Sequence, residues 1–219
     1  MKSIVSISAA ILFAMTATIP ARAGTISGTV KVNGLPSSAN ILVYLGRGGA
    51  TPVDLSHARF TMDQKNMTFI PHVLPVVVGA SVAFPNNDQV AHNVFSVSPA
   101  KTFNLGVYGP GKSKTVVFDK PGIVALRCVI HADMLAYIAV LKSPYFAITD
   151  ASGHFTIPDT RYLDAHGITG VSPLPAGDYP IRTWHEKLHT GQAQVKVPAN
   201  GTVNISFDLH RGKPSGLYK

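Results

Sequence analysis

The strongest constraint on the fold is a series of short segments rich in β-branched and aromatic residues, with Gly, Pro, Asn or Asp clustered between them. These segments are Thr25–Val32, Asn40–Leu45, Val73–Phe84, Asn93–Val97, Lys114–Phe118, Ile123–Cys128 and Tyr137–Leu141. The 19 glycines and 16 prolines favour frequent turns. No window of useful length combines a 3.6-residue apolar period with capping residues. The sequence therefore predicts an all-β protein built from sandwiches or Greek-key barrels.

The first 23 residues have the pattern of a secretory signal peptide. Lys2 gives a positive start, Ile4–Ile19 is largely apolar, and Ala21-Arg22-Ala23 is a small-x-small cleavage pattern. The apolar run is short for a bilayer span, which needs about 20 apolar residues. We predict cleavage after Ala23 and a mature protein that is periplasmic or secreted, with no stable insertion into a membrane.

Cys128 is the single cysteine of the chain. One thiol excludes an intrachain disulfide framework, and it excludes zinc ribbons and iron–sulfur clusters held by several thiolates. In an oxidising compartment, a lone cysteine is a reactive thiol, an intermolecular bridge or a metal ligand.

The surroundings of this cysteine favour the metal ligand. Cys128, His131 and Met134 form a Cys-x2-His-x2-Met cluster directly after a predicted strand, and His92 begins another strand. One thiolate, two imidazoles and a weak thioether are the ligand set of a blue-copper centre, because sulfur favours Cu(I) while imidazole also accepts Cu(II). Zinc could occupy such ligands, although structural zinc sites rarely use a thioether. Strand alternation points the Cys128 thiol inward and Arg127 outward.

The segments around these ligands resemble a cupredoxin of the plastocyanin and amicyanin type. The resemblance lies in Met67-Thr-Phe-Ile-Pro-His-Val-Leu, Val78-Gly-Ala-Ser-Val-Ala-Phe-Pro-Asn-Asn-Asp, His92-Asn-Val-Phe and Phe118-Asp-Lys-Pro-Gly-Ile-Val-Ala-Leu-Arg-Cys128. It implies one type-1 copper with His92, Cys128 and His131 as equatorial ligands and Met134 as the axial ligand. It also implies that the side chain of Asn93 ties the two ligand loops together. The whole chain is similar to proteins labelled methylamine-utilisation or plastocyanin-like.

The two flanks resemble the halves of a transthyretin-like, or carboxypeptidase-regulatory-like, β-sandwich. The matching patterns are Asp-x-x-Gly-x-Phe from Asp150 and Pro-x-Gly-x-Tyr from Pro175. The implied organisation is a signal peptide (1–23), a discontinuous flanking sandwich (24–60 and 144–210), a cupredoxin domain inserted within it (61–143) and a tail (211–219). Two tandem domains sharing an N-terminal strand pair are the alternative.

Charge and motifs narrow the function further. The net charge of +8 is dispersed, and residues 61–143 hold seven Lys and Arg against four Asp without an aromatic-interleaved basic tract. This distribution disfavours nucleic-acid binding and suits steering of an acidic redox partner. No phosphate loop or nucleophile motif is present. We predict a non-enzymatic single-electron carrier with an unidentified redox partner protein. Copper storage or delivery, or a non-redox recognition module, is the alternative, and an adhesion or carbohydrate-binding β protein with incidental metal is a third.

The other histidines give no metal-binding pattern. His72 is expected to pack or cap at a strand edge. The remaining ones are scattered through the flanks, where Trp184-His185-Glu186 could help to form a partner surface.

Overall fold

The computed structural model describes residues 24–46 and 53–218. The predicted signal peptide, residues 1–23, lies outside the described residues. Within the described part of the chain, no helix has the length and apolar character needed to cross a membrane.

The regular secondary structure of the described residues is almost all β, with one short helix, which confirms the all-β prediction. The N-terminal part contributes β1 (Gly24–Asn33) and β2 (Leu42–Leu45). The middle contributes β3 (Phe60–Thr61), β4 (Asp63–Lys65), β5 (Thr68–Ile70), β6 (Val73–Val77), β7 (Ala80–Pro85), β8 (His92–Ser98), β9 (Lys101–Tyr108), β10 (Ser113–Phe118), β11 (Gly122–Arg127) and β12 (Leu135–Leu141). The C-terminal part contributes β13 (Phe146–Ile148), β14 (His154–Ile157), α1 (Thr160–Ala165), β15 (Gly177–Trp184), β16 (Gln192–Val197) and β17 (Gly201–His210).

The middle strands form a sandwich of two main sheets, called here the middle unit. A five-stranded sheet has the order β6-β12-β11-β8-β9, and a three-stranded sheet has the order β10-β7-β3. Alternation along β7 places Ala80, Val82 and Phe84 in the core, each fully buried. Phe118 of β10 and Leu126 of β11 join the same core.

Strands from both ends of the chain form the other part of the molecule. The whole length of β1 pairs in parallel with β17, from Gly24 opposite Gly201 to Asn33 opposite His210. β14 completes this sheet on the other side of β1, and β13, β2, β15 and β16 form a second sheet in that order. These seven strands are called here the flanking unit.

The sheet around β2 has both of its faces covered. Leu42 and Tyr44 belong to the core of the middle unit, whereas Val43 and Leu45 belong to the core of the flanking unit. All four residues of β2 are therefore buried, which explains why this segment is uniformly apolar and does not alternate. The middle and flanking units share this sheet as a common layer.

Several elements differ from the sequence prediction. The segment Val73–Phe84 is two strands, because Gly79 has a φ of 92° and turns the chain between β6 and β7. The edge strand β9 was not predicted. The six-residue helix α1 was also missed, since one turn and a half is too short to show a period; Asp159 caps it by accepting from the Tyr162 N–H at 3.0 Å.

Candidate metal centre

Cys128 follows β11 and points into the core, as strand alternation predicts. Val124, Leu126 and Cys128 lie on one face and are buried, while Arg127 is exposed. The pairing of β11 with β12, which ends with Arg127 opposite Leu135, fixes both ends of the loop 128–134. The thiol is therefore held at a defined position by a paired strand on each side of its loop.

The two predicted imidazole ligands come from separate segments. His92 is the first residue of β8 and is fully buried. His131 lies in the loop after Cys128, is partly exposed, and its carbonyl accepts from the Met134 N–H at 3.1 Å. That turn folds the loop back toward β12 and points the His131 ring at His92.

The donor atoms of these three residues converge. The Nδ1 atoms of His92 and His131 are 3.0 Å apart. Ligand atoms of His92, Cys128 and His131 all lie within 4.8 Å of one another, and in the described part of the chain no other group of three His, Cys, Asp or Glu residues does so. Two imidazole nitrogens at this separation share either a proton or a cation, because two facing lone pairs repel.

Met134 lies at the end of the same loop. Its side chain is buried, with 1% of its surface exposed, and it packs in the core of the middle unit with Cys128. The assignment of His92, Cys128, His131 and Met134 as copper ligands remains a prediction, and the donor chemistry fits it: one thiol, two imidazoles and a buried thioether.

Asp88 supports His92 from outside the ligand set. The Oδ2 atom of Asp88 lies 2.9 Å from His92 Nε2 and accepts from the Met67 backbone N–H at 2.6 Å. The Met67 N–H first, and then the His92 ring, lower the pKa of Asp88 to about 2. A permanent carboxylate at Nε2 holds the ring proton there, which leaves the Nδ1 lone pair for a metal. The sequence contained this residue four positions before His92, but the spacing alone gave no reason to select it.

Asn93 connects the two ligand segments through its backbone. Its N–H donates to the Cys128 Sγ at 3.4 Å, a contact that stabilises a thiolate. The resemblance implied that the Asn93 side chain ties the two ligand loops together, but the structure shows a different contact. Its Nδ2 donates to Asn104 Oδ1 on β9 at 2.8 Å. Its Oδ1 is buried without a hydrogen-bond partner. The side chain of Asn93 thus joins β8 to β9, and its backbone reaches the ligand loop.

A buried polar network, which the sequence did not indicate, lies beside the start of β8. Tyr108 is opposite His92 in the β8–β9 ladder. Its hydroxyl donates to the Phe84 carbonyl at 3.0 Å and accepts from Gln64 Nε2 at 2.7 Å. Burial raises the pKa of Tyr108 to about 12, so the hydroxyl stays protonated and keeps donating.

Exposed apolar side chains occur in the segments around the candidate site. Val129 and Ile130, on either side of the turn from Cys128 to His131, are 65% and 46% exposed. Met67, whose N–H binds Asp88, and Val90, two residues before His92, are also exposed. These four residues are called here the apolar rim.

Comparisons with known proteins give distant structural likenesses. No protein-family model matches the chain, and no curated protein does. Among solved structures, the chain is similar to a purple cupredoxin from Nitrosopumilus maritimus, with 24% identity over 38% of this chain and 99% of that one, at a TM-score of 0.34. It is similar to a reduced amicyanin mutant, with 20% identity over 48% of this chain and 95% of that one, at a TM-score of 0.36. It is also similar to a copper-containing nitrite reductase from Thermus scotoductus, with 23% identity over 51% of this chain and 28% of that one, at a TM-score of 0.37.

Proposed function

We propose that this chain is an exported type-1 copper protein that carries single electrons between redox partners. The observation that carries the proposal is the convergence of one thiol and two imidazoles, with the Nδ1 atoms of His92 and His131 at 3.0 Å. Bound copper would supply a reversible one-electron couple. His92, Cys128 and His131 would hold the metal, and Met134 would approach it as the weaker sulfur donor.

The chain's own contacts suit a site that must not rearrange. Asp88 fixes the tautomer of His92, and the Asn93 N–H donates to the Cys128 Sγ. Three of the four proposed ligands, His92, Cys128 and Met134, are buried, which excludes water from the thiolate. Rigid ligands lower the structural change between the two oxidation states, and a dry site protects the thiol from oxidation.

The fourth ligand, His131, is the proposed exit for the electron. It is partly exposed and directly follows two exposed residues of the apolar rim, Val129 and Ile130. A small apolar contact around one exposed imidazole suits a transient partner that must leave after each transfer. From residue 24 onward the chain has 17 Lys and Arg against 11 Asp and Glu, and this net charge of +6 would steer an acidic partner protein toward the molecule.

Voltammetry distinguishes an electron carrier from a copper-storage or copper-delivery protein. Voltammetry of the copper-loaded protein on an electrode is expected to give a reversible one-electron wave, with the metal content unchanged after repeated cycles. Loss of copper on each reduction would instead support storage or delivery, the alternative function. Val129→Ser with Ile130→Ser is expected to leave the potential unchanged and to slow transfer to a partner, because it changes the apolar rim and none of the ligands.

A further inference from the structure

The loop that leads into His92 is organised around one buried asparagine. Asn86 directly follows β7 and is fully buried. Its Nδ2 donates to the Val90 carbonyl at 2.9 Å and to the Tyr108 carbonyl at 3.1 Å, and its Oδ1 accepts from the Asp88 N–H at 3.0 Å. A buried amide that is bonded at both ends is held in one orientation, because any other would leave polar groups without partners.

The backbone of Asn86 is anchored as well as its side chain. Its N–H donates to the Lys112 carbonyl at 2.8 Å, and its own carbonyl accepts from the Gly111 N–H at 2.7 Å. Gly111 and Lys112 belong to the connection between β9 and β10, so these bonds tie the end of β7 to a second loop of the middle unit. Asn86 is therefore a fixed point from which the residues that follow it are placed.

The side-chain bonds of Asn86 reach two residues that determine where the His92 ring lies. The first is Asp88, whose carboxylate lies 2.9 Å from His92 Nε2. The second is Tyr108, which is opposite His92 in the β8–β9 ladder. One amide thus fixes the carboxylate relative to the strand pair that carries His92.

We propose that Asn86 is a positioning residue of the candidate metal centre and acts on His92 through Asp88. Without the Asn86 side chain, the Asp88 N–H and the Val90 carbonyl lose their partner in a loop that is open to solvent at Val90. Water can then replace these bonds, and the loop 86–91 can follow other paths. The strands on either side stay paired, β7 with β10 and β8 with β9, so the loop can change without loss of the fold.

The expected effect on copper rests on the proposed function, in which His92 is a ligand. Asn86→Ala is then expected to lower copper affinity about 10- to 100-fold, as Asp88→Ala does, because both variants remove the same support of the ring. If Asn86 acts through Asp88, the double variant is expected to bind copper within about twofold of Asp88→Ala alone. A residue that only stabilises the fold would instead add its own loss of affinity.

The deciding measurement needs no metal. At a pH where the ring is neutral, ¹⁵N signals report which nitrogen of His92 carries the proton, and the wild type is expected to show the Nε2–H form that the Asp88 carboxylate favours. Asn86→Ala is expected to give a mixture of both tautomers while the circular dichroism stays unchanged. Asn87→Ala is the matched control and is expected to keep the wild-type signals, because the exposed Asn87 side chain donates to Asp63 Oδ1 at 3.0 Å.

The proposal is overturned if Asn86→Ala leaves the His92 tautomer as in the wild type, or if its loss of copper affinity adds fully to that of Asp88→Ala. If Asn86→Ala does not fold, Asn86→Ser takes its place, since its shorter side chain keeps an acceptor for the Asp88 N–H but cannot reach both carbonyls. A mixed tautomer in Asn86→Ser supports the proposal, and the wild-type tautomer contradicts it. A chain that binds no copper but shows the tautomer change would refute the proposed function and support the positioning role of Asn86.

Discussion

The Nδ1 atoms of His92 and His131 lie 3.0 Å apart, although 39 positions separate the two residues in the chain. Each ring is held independently, His92 by the carboxylate of Asp88 at Nε2 and His131 by the turn that ends at Met134. Hydrogen bonds and strand pairing within the chain therefore hold the two rings in place. Preorganisation of this kind favours a metal that changes its charge without changing its ligands.

Removal of the Asp88 carboxylate should weaken the site without touching a ligand. In Asp88→Ala, His92 loses the acceptor that fixes its tautomer, and copper affinity is expected to fall by about 10- to 100-fold. Competition with a chelator for Cu(II) measures the change. Asp133→Ala is the control, because Asp133 is an exposed acidic residue within the ligand loop. Equal affinities of the two variants would contradict the role assigned to Asp88.

The proposed axial role of Met134 is tested through the reduction potential. Met134→Leu keeps a buried apolar side chain of similar volume but leaves the metal one donor short in an apolar pocket. Cu(II), the more highly charged ion, loses more by this than Cu(I), so the reduction potential is expected to rise. Voltammetry of the copper-loaded variant provides the measurement. Met67→Leu, at a position 56% exposed, is expected to leave the potential unchanged. A potential for Met134→Leu equal to that of Met67→Leu would rule out Met134 as a ligand.

The shared sheet predicts that the middle and flanking units unfold together. Leu42→Ala removes a fully buried side chain from a strand that contributes to both cores, at an expected cost of about 2–5 kcal/mol. Fluorescence of Trp184, the single tryptophan, and far-UV circular dichroism should then move to the same lower midpoint. Val97→Ala, at a position 77% exposed, should change stability by less than about 0.5 kcal/mol. Two separated transitions, with only one moved by Leu42→Ala, would show that the units are independent.

The pair between His72 and Glu186 predicts a pH-dependent stability. The hydrogen bond to Glu186 raises the pKa of His72, so its stabilising effect is present below about pH 6.5 and is lost as the pH rises through the raised value. Burial raises the pKa of Glu186, but His72 and His185 outweigh it and the net pKa falls below 4.5, so its effect is lost as the pH falls through that lowered value. The pair is thus most stabilising between about pH 4.5 and pH 6.5.

Urea unfolding of the wild type and of Glu186→Gln, both with EDTA present, measures this dependence. The difference in free energy of unfolding is expected to be largest in that window and smaller at pH 8. Because His72 is 37% exposed, solvent screens the pair and limits it to about 1 kcal/mol. The nearby charge of Lys187 is common to both proteins. A difference that is constant with pH would contradict the assignment of the effect to this pair.

The sequence was sufficient to predict the structural features that depend on a local residue pattern. Alternation in β11 placed the Cys128 thiol inward, and turn residues separated most of the strands. It was insufficient where the relevant contact is long-range. The pairing of His72 with Glu186 spans 114 positions, and the two covered faces of β2 depend on how the two units pack.

The role of Asp88 could not be predicted from the sequence either, although this residue lies close to His92 in the chain. It precedes His92 by only four residues, yet its role follows from the path of the loop between β7 and β8. That path places the carboxylate between the His92 ring and the N–H of Met67, which belongs to the turn between β4 and β5. Gln64 and Tyr108, buried next to the site, likewise become visible only through strand pairing. The division into a cupredoxin domain and a carboxypeptidase-regulatory-like flanking domain remains a prediction from the sequence.

We propose above all that Cys128, His92 and His131 bind copper as a type-1 site. The most direct measurement is the visible and EPR spectrum of the protein from residue 24 onward, loaded with Cu(II). An intense visible band with a narrow copper hyperfine splitting, both lost in Cys128→Ser while the circular dichroism is retained, is the expected result. A colourless, EPR-silent protein under oxidising copper loading would contradict the claim, and so would a spectrum that Cys128→Ser leaves unchanged.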